Sequence, residues 1–412
     1  MNSASSTGYD FSSPTSTESG TVIPTPSTSR ASSTSRSSST NIPSGPLNLT
    51  MLSTTSWRQP YPSVGQFAMT DSEEVVAAGP NGLFYFRRIH DHAATPWSEP
   101  RPFPSMRVTL NQSTVSGLAL YPAHDSKQRS RLHLYCVSGG DLHSFYLTDK
   151  NTSFLADTSP PLAGSRVTGK PTVVQSKNVR NSERWSLVVP CQSGGLLHTS
   201  ATYSTSYDNS MSTVWGAVDH LATDLGIISA VSVTAVHSLV DRSINFKTEL
   251  VAACISRGQL NVVQGSFGLN EDLGRWGGYD SDWKWEGKTS TRILHPGEVT
   301  GNPVLITGLN YDTSETQLDL LVPSAEGGIF HFFRMQSAPN DWHMIGRVAF
   351  PQNIPPASCL SFHSRSEISS KGELYALVQI GGRLYHVKTT NDKLPWYNAC
   401  LNPIVHPGPF FE

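Results

Sequence analysis

The sequence predicts an all-β protein, a six-bladed β-propeller of four-stranded antiparallel blades with a disordered N-terminal tail. Three observations predict it. A strand, a Gly-containing turn and a second strand recur as a unit six times. The turn glycines Gly82, Gly140, Gly195, Gly258, Gly328 and Gly382 lie 58, 55, 63, 70 and 54 residues apart. Between the copies, helical periodicity is nearly absent, and Gly, Pro, Asn and Ser separate short runs of β-formers. Four-stranded sheets repeated at this period suit a propeller, in which radial repetition leaves only short sheet edges.

The elements follow in chain order. Residues 1–50 hold 25 Ser or Thr and four charged side chains, too little apolar area to offset the entropy of ordering. They read as a disordered tail, and residues 51–412 as the propeller. Residues 47–59, which carry Trp57, read as an extra strand or clasp where the ring closes. The approximate blades are 60–110, 111–165, 166–225, 226–297, 298–352 and 353–412.

Each blade opens on a short run: VGQFAMT, SGLALYP, KPTVVQS, ISAVSVTAV, NPVLITGL and ASCLSFHS. The hairpin then supplies the second and third strands. Its copies start at Val75, Leu132, Ser186, Leu250, Leu318 and Leu374. Val, Ile and aromatic residues suit a pleated surface, and Gly supplies the positive φ that tight turns require. A Trp marks the fourth run in five blades, at Trp97, Trp215, Trp285, Trp342 and Trp396; the second blade has TSFLADTS instead.

Composition narrows the function classes. A net charge of -2 argues against a nucleic-acid partner, which selects for a basic face. No apolar run is long enough for a membrane span. The first residues lack the basic and apolar regions of a secretory signal. A cytoplasmic protein is expected, or a secreted one if the chain lacks an upstream segment. Asn48, Asn111 and Asn151 head N-x-S/T triplets, about as many as chance yields in a Ser/Thr-rich chain.

Five cysteines make a poor disulfide framework. Cys136, Cys191 and Cys254 each precede a turn glycine by four residues, where the other copies have Ala78, Ser324 and Val378. That is a position for a small packed residue. Cys359 and Cys400 fall in the last blade, and the sequence leaves their pairing open.

Three residues after the turn glycines stand Tyr85, His143, His198, Asn261, His331 and Tyr385. All are hydrogen-bonding groups flanked by apolar residues. They read either as a polar ring lining pockets between blades, suited to an uncharged polar ligand, or as internal partners for backbone groups. Trp276, Trp283 and Trp285 cluster on the longest inter-repeat insertion, where a binding loop is expected. His90 and His92 flank an Asp but lack further ligands, so no metal site is assigned, and no cofactor. No nucleophile elbow, zinc helix, P-loop or dinucleotide fingerprint is present, so whether the chain is an enzyme stays open.

The unit resembles the blade of the fungal fucose-specific lectins, over roughly residues 60–400. The resemblance rests on Gly140-Asp141-Leu142-His143, Gly195-Leu196-Leu197-His198, Gly328-Ile329-Phe330-His331 and Gly382-Arg383-Leu384-Tyr385-His386, with the trailing tryptophans. It implies a six-bladed disc and a binding role. Those lectins use an Arg before the second strand and a Glu four residues after the turn glycine. Here Phe86, Ser144, Thr199, Val262, Phe332 and His386 occupy the Glu positions, and Arg131 alone is near an Arg position. No fucose-binding residue is carried over.

Three functions are therefore expected in order: a lectin-like propeller binding a glycan or small molecule; a cyclase- or isomerase-type biosynthetic enzyme acting on a small metabolite; and a protein-interaction scaffold.

Overall fold

The structure is a computed structural model. It describes most residues from 66 to 403; residues 1–65 and 404–412 lie outside the description, as do internal stretches such as 88–97, 269–290 and 389–399. The expected tail, the clasp at 47–59, His90, His92, Trp97, Trp276, Trp283, Trp285 and Trp396 all fall outside the described residues. In the last sheet the backbone alone is described.

Six sheets follow one another along the chain. The first holds β1 (Phe67–Met69), β2 (Glu74–Gly79), β3 (Gly82–Arg87) and β4 (Arg101–Pro102). The second holds β5 (Val115–His124), β6 (Ser130–Ser138), β7 (Asp141–Thr148) and β8 (Leu155–Ala156). The third holds β9 (Thr172–Gln175), β10 (Arg184–Pro190), β11 (Leu196–Thr205), β12 (Met211–Trp215) and β13 (Asp219–Leu221). The fourth holds β14 (Ile228–Leu239), β15 (Phe246–Ser256), β16 (Gln259–Gly268) and β17 (Thr291–Arg292). The fifth holds β18 (Val304–Asn310), β19 (Glu315–Pro323), β20 (Ile329–Met335) and β21 (His343–Val348). The sixth holds β22 (Ala357–Ser364), β23 (Leu374–Ile380), β24 (Arg383–Lys388) and β25 (Cys400–Pro403).

Every sheet is an antiparallel meander in sequence order, the pattern that hairpin connections produce. The third departs slightly: β12 and β13 both pair with β11, in line, so its outer strand is split in two. The first strands touch in a cycle, β1 to β5 to β9 to β14 to β18 to β22 and back to β1. The ring therefore closes with the last sheet built from its own four strands. The chain is an all-β propeller.

The second strands explain the core. They are apolar on both faces because each face meets a neighbouring blade. One buried cluster joins the first and second sheets through Val76, Leu83, Leu118, Leu134 and Cys136. Another joins the second and third through Tyr135, Val137, Trp185 and Leu187. The third meets the fourth through Val188, Val233 and Cys254. The fourth meets the fifth through Val251, Val262, Leu320 and Phe332.

The three described cysteines are buried and free. Cys136 and Cys254 sit inside second strands, whereas Cys191 lies in the β10–β11 connection, bridged to Val167. Cys359 and Cys400 occupy the first and fourth strands of one sheet. Among the described residues no helix is long and apolar enough to cross a membrane.

Candidate functional site

All six polar positions lie on the third strands, but they do not form a ring of equivalent sites. In the second and fourth sheets, Ser138 pairs with Asp141 and Ser256 with Gln259, leaving two-residue turns that end in Gly140 and Gly258. In the first sheet Gly79 pairs with Gly82, so that glycine already belongs to β3. Counting from Gly82 shifts Tyr85 by one residue, and one residue flips a side chain to the other face. In the third and fifth sheets Pro190 pairs with Leu196 and Pro323 with Ile329, so five residues replace the two-residue turn.

The positions consequently face neighbouring blades in pairs. Tyr85 packs on the cluster between the first and second sheets, and His143 stands opposite Cys136 of that same cluster. His198 stands opposite Val188, and Asn261 opposite Cys254, both between the third and fourth sheets. His331 alternates with Phe330 and Phe332, which face the fourth sheet, so it faces the sixth. Tyr385 stands opposite Val378, and its side chain lies outside the described residues.

Most of these groups are engaged internally. Tyr85 donates to Glu74 Oε1 at 2.6 Å and meets Phe154 edge-on. His198, 1% exposed, donates from Nδ1 to Asp219 Oδ2 at 3.3 Å. Asn261 donates to the Gln259 carbonyl at 3.1 Å. His331 donates from Nε2 to Asp319 Oδ1 at 2.9 Å, and Gln317 donates to the same carboxylate. His143 is half-buried.

Two interfaces between blades hold a different set of residues. Between the second and third sheets, Tyr146 lies under the Arg131 guanidinium, 5.1 Å from its ring centroid. His133 stands opposite Tyr146 on β6 and packs on Trp185 at 5.4 Å. Trp185 donates its indole N–H to Tyr135 Oη at 2.9 Å, and both rings meet Trp215 edge-on. Burial, and then the charge of Arg131, hold His133 down at about 3, so it is neutral at ordinary pH.

Between the fourth and fifth sheets, Arg334 of β20 points at Glu249 of β15, 3.4 Å away. Arg334 is 1% exposed, and its guanidinium lies 5.4 Å from the Trp342 ring centroid. Burial pushes the Arg334 pKa below the usual arginine range, and Glu249 opposes that shift. The sequence pattern has a Trp opening each fourth run: Trp342 does directly precede β21, but Trp215 instead ends β12.

The two interfaces share one property. The indole N–H groups of Trp215 and Trp342 are buried without an acceptor among the described residues, as is Nε of Arg334. An unpaired buried donor is costly unless something supplies the acceptor. Aromatic faces, a planar cation and free donors can bind a ligand rich in hydroxyls. Burial pushes the Cys254 thiol up to about 12 and the Cys136 thiol further still, so these two stay protonated at ordinary pH. No group of three or more His, Cys, Asp or Glu among the described residues could hold a metal ion.

Sequence reasoning missed both interfaces. A signal was present in Ile329–Met335, where Arg334 follows Phe330 and Phe332 at the spacing of a core face. A charged residue on such a face needs a partner. The partner, Glu249, is 85 residues away.

No protein-family model and no curated protein sequence matches the chain. Solved structures do. A mutant of AofleA from Arthrobotrys oligospora has a TM-score of 0.53 at 12% identity, covering 84% of this chain and 88% of its own. A leech intramolecular trans-sialidase has a TM-score of 0.37 at 15% identity, covering 68% of this chain and 36% of its own. The polysaccharide lyase Uly1 has 0.36 at 12% identity, covering 85% and 82%. At such identities the likeness to AofleA is one of fold, and the propeller architecture is what the two chains share.

Proposed function

We propose that this chain is a carbohydrate-binding propeller whose pockets lie in the clefts between the second and third and between the fourth and fifth blades. One observation carries the proposal. In each cleft an arginine lies against an aromatic ring, and the fourth-strand tryptophan holds an indole N–H without an acceptor. A sugar presents an apolar face to stack and hydroxyls to accept such donors. The fold of AofleA, a fungal lectin, is consistent with that role. Tyr85 with His143, and His198 with Asn261, are further candidate contacts in the other described interfaces.

The test is a glycan array with the full chain, followed by titration of the best ligand. Trp215→Phe and Trp342→Phe keep a ring and remove the donor. Loss of one hydrogen bond predicts about five- to tenfold weaker binding per pocket. No array signal at high protein concentration, or unchanged affinity in both variants, sinks the proposal.

A further inference from the structure

We infer that the Arg334 pocket is closed in the free protein by a latched strap, the β20–β21 connection. This rests on the reading of that cleft as a binding site. The connection spans residues 336–342: Trp342, whose indole N–H lacks an acceptor among the described residues, is its last residue, and Arg334, whose Nε lacks one, lies two residues before it in β20. It is built as a compact double turn, with Ala338 N–H donating to the Met335 carbonyl and Asp341 N–H to that of Ala338. Gln336 N–H ties its start to Thr316 of its own blade. Its middle reaches the neighbouring blade, where Gln264 Nε2 of β16 donates to the Pro339 carbonyl at 3.2 Å. One end is thus anchored at home while the middle is held across the cleft by a neutral, replaceable hydrogen bond.

Burial and bonding at Arg334 fit a pocket that has been shut. The guanidinium is almost wholly covered, yet among the described residues its sole carboxylate contact, Glu249, is long and its Nε has no acceptor. A purely structural arginine at that depth is expected to have its donors satisfied. Swinging residues 336–341 outward, with Trp342 staying on the Arg334 guanidinium, opens a floor of two donors and one acceptor, Arg334 and Trp342 against Glu249. The fixed carboxylate beside the cation disfavours an anionic ligand. A neutral sugar with adjacent hydroxyls fits, one hydroxyl accepting from a donor while its neighbour donates to Glu249.

The strap is tested without any sugar, by labelling with phenylglyoxal and mapping the modified arginines. Gln264→Ala removes the latch and leaves the proposed contacts intact. Loss of one neutral hydrogen bond shifts the open population about fivefold, so Arg334 labels about five times faster than in the unaltered protein. Arg184, the part-buried arginine of β10 that donates to Ser200 Oγ at 2.7 Å, serves as the internal control. Acceleration at Arg334 with Arg184 unchanged supports the strap. No acceleration at Arg334, or equal acceleration at both, overturns it. Glycan affinity in Trp342→Phe reports on the pocket separately, so a failed latch and a failed pocket give different results.

Discussion

His133 makes the stability of this propeller depend on pH in a predictable direction. It is 1% exposed on β6, stacked near parallel on Tyr135 and packed against Trp185. Its folded pKa is lowered from 6.5 to about 3, chiefly because burial penalises the cation and secondarily because Arg131 repels it. In the unfolded chain the ring keeps its ordinary value. As pH falls, the unfolded state therefore takes up the proton first, and the folded state loses ground. The contribution is whole above about 6.5 and drains away as pH falls toward 3. At pH 5 the unfolded ring is mostly charged and the folded ring neutral, which costs about 2 kcal/mol relative to pH 7. Urea unfolding followed by tryptophan fluorescence measures this at both pH values. His133→Phe keeps an aromatic of similar outline and removes the proton. The variant is expected to lose about 2 kcal/mol less than the unaltered protein between pH 7 and pH 5. Equal losses in the two proteins would refute the reasoning, because other titrating groups are common to both.

Two further predictions concern packing. A Cβ at Gly117 would stand 2.3 Å from the Gly169 carbonyl oxygen and from Lys170 Cα, both backbone. Gly117→Ala is therefore expected to cost at least ~2 kcal/mol, seen as a lower thermal midpoint; an unchanged midpoint would show that β5 and the segment leading into β9 can part. The thiols of Cys136 and Cys254 are buried and held protonated, so Ellman's reagent should reach them only after denaturation. Mapped labelling of either within minutes in the native protein would contradict that burial.

Much of the fold was legible because strand formation is local. Period-2 patterning, β-branched and aromatic side chains, and turn glycines act within a few residues. Gly140, Gly195 and Gly258 do take the positive φ that their positions suggested, at 89, 71 and 71 degrees. The fourth strand of each blade was less distinct because it is brief: β4, β8 and β17 have two residues each. Repeat counting also located the six polar third-strand positions correctly in sequence. It failed on their orientation, since a glycine that ends a turn and a glycine that begins a strand look alike until the pairing of Gly79 with Gly82 is known.

By itself, then, the sequence determined six four-stranded units and the order of strands within them. The tertiary structure decided which residues meet. Arg334 and Glu249 belong to different blades, and so do Trp185 and Tyr135. Their contacts depend on how the sheets twist and how the ring closes from β22 back to β1, which are products of packing over the whole chain. A local pattern can say that a side chain leaves one face of a strand. Only the placement of the neighbouring blade says whether that face is core, cleft or solvent.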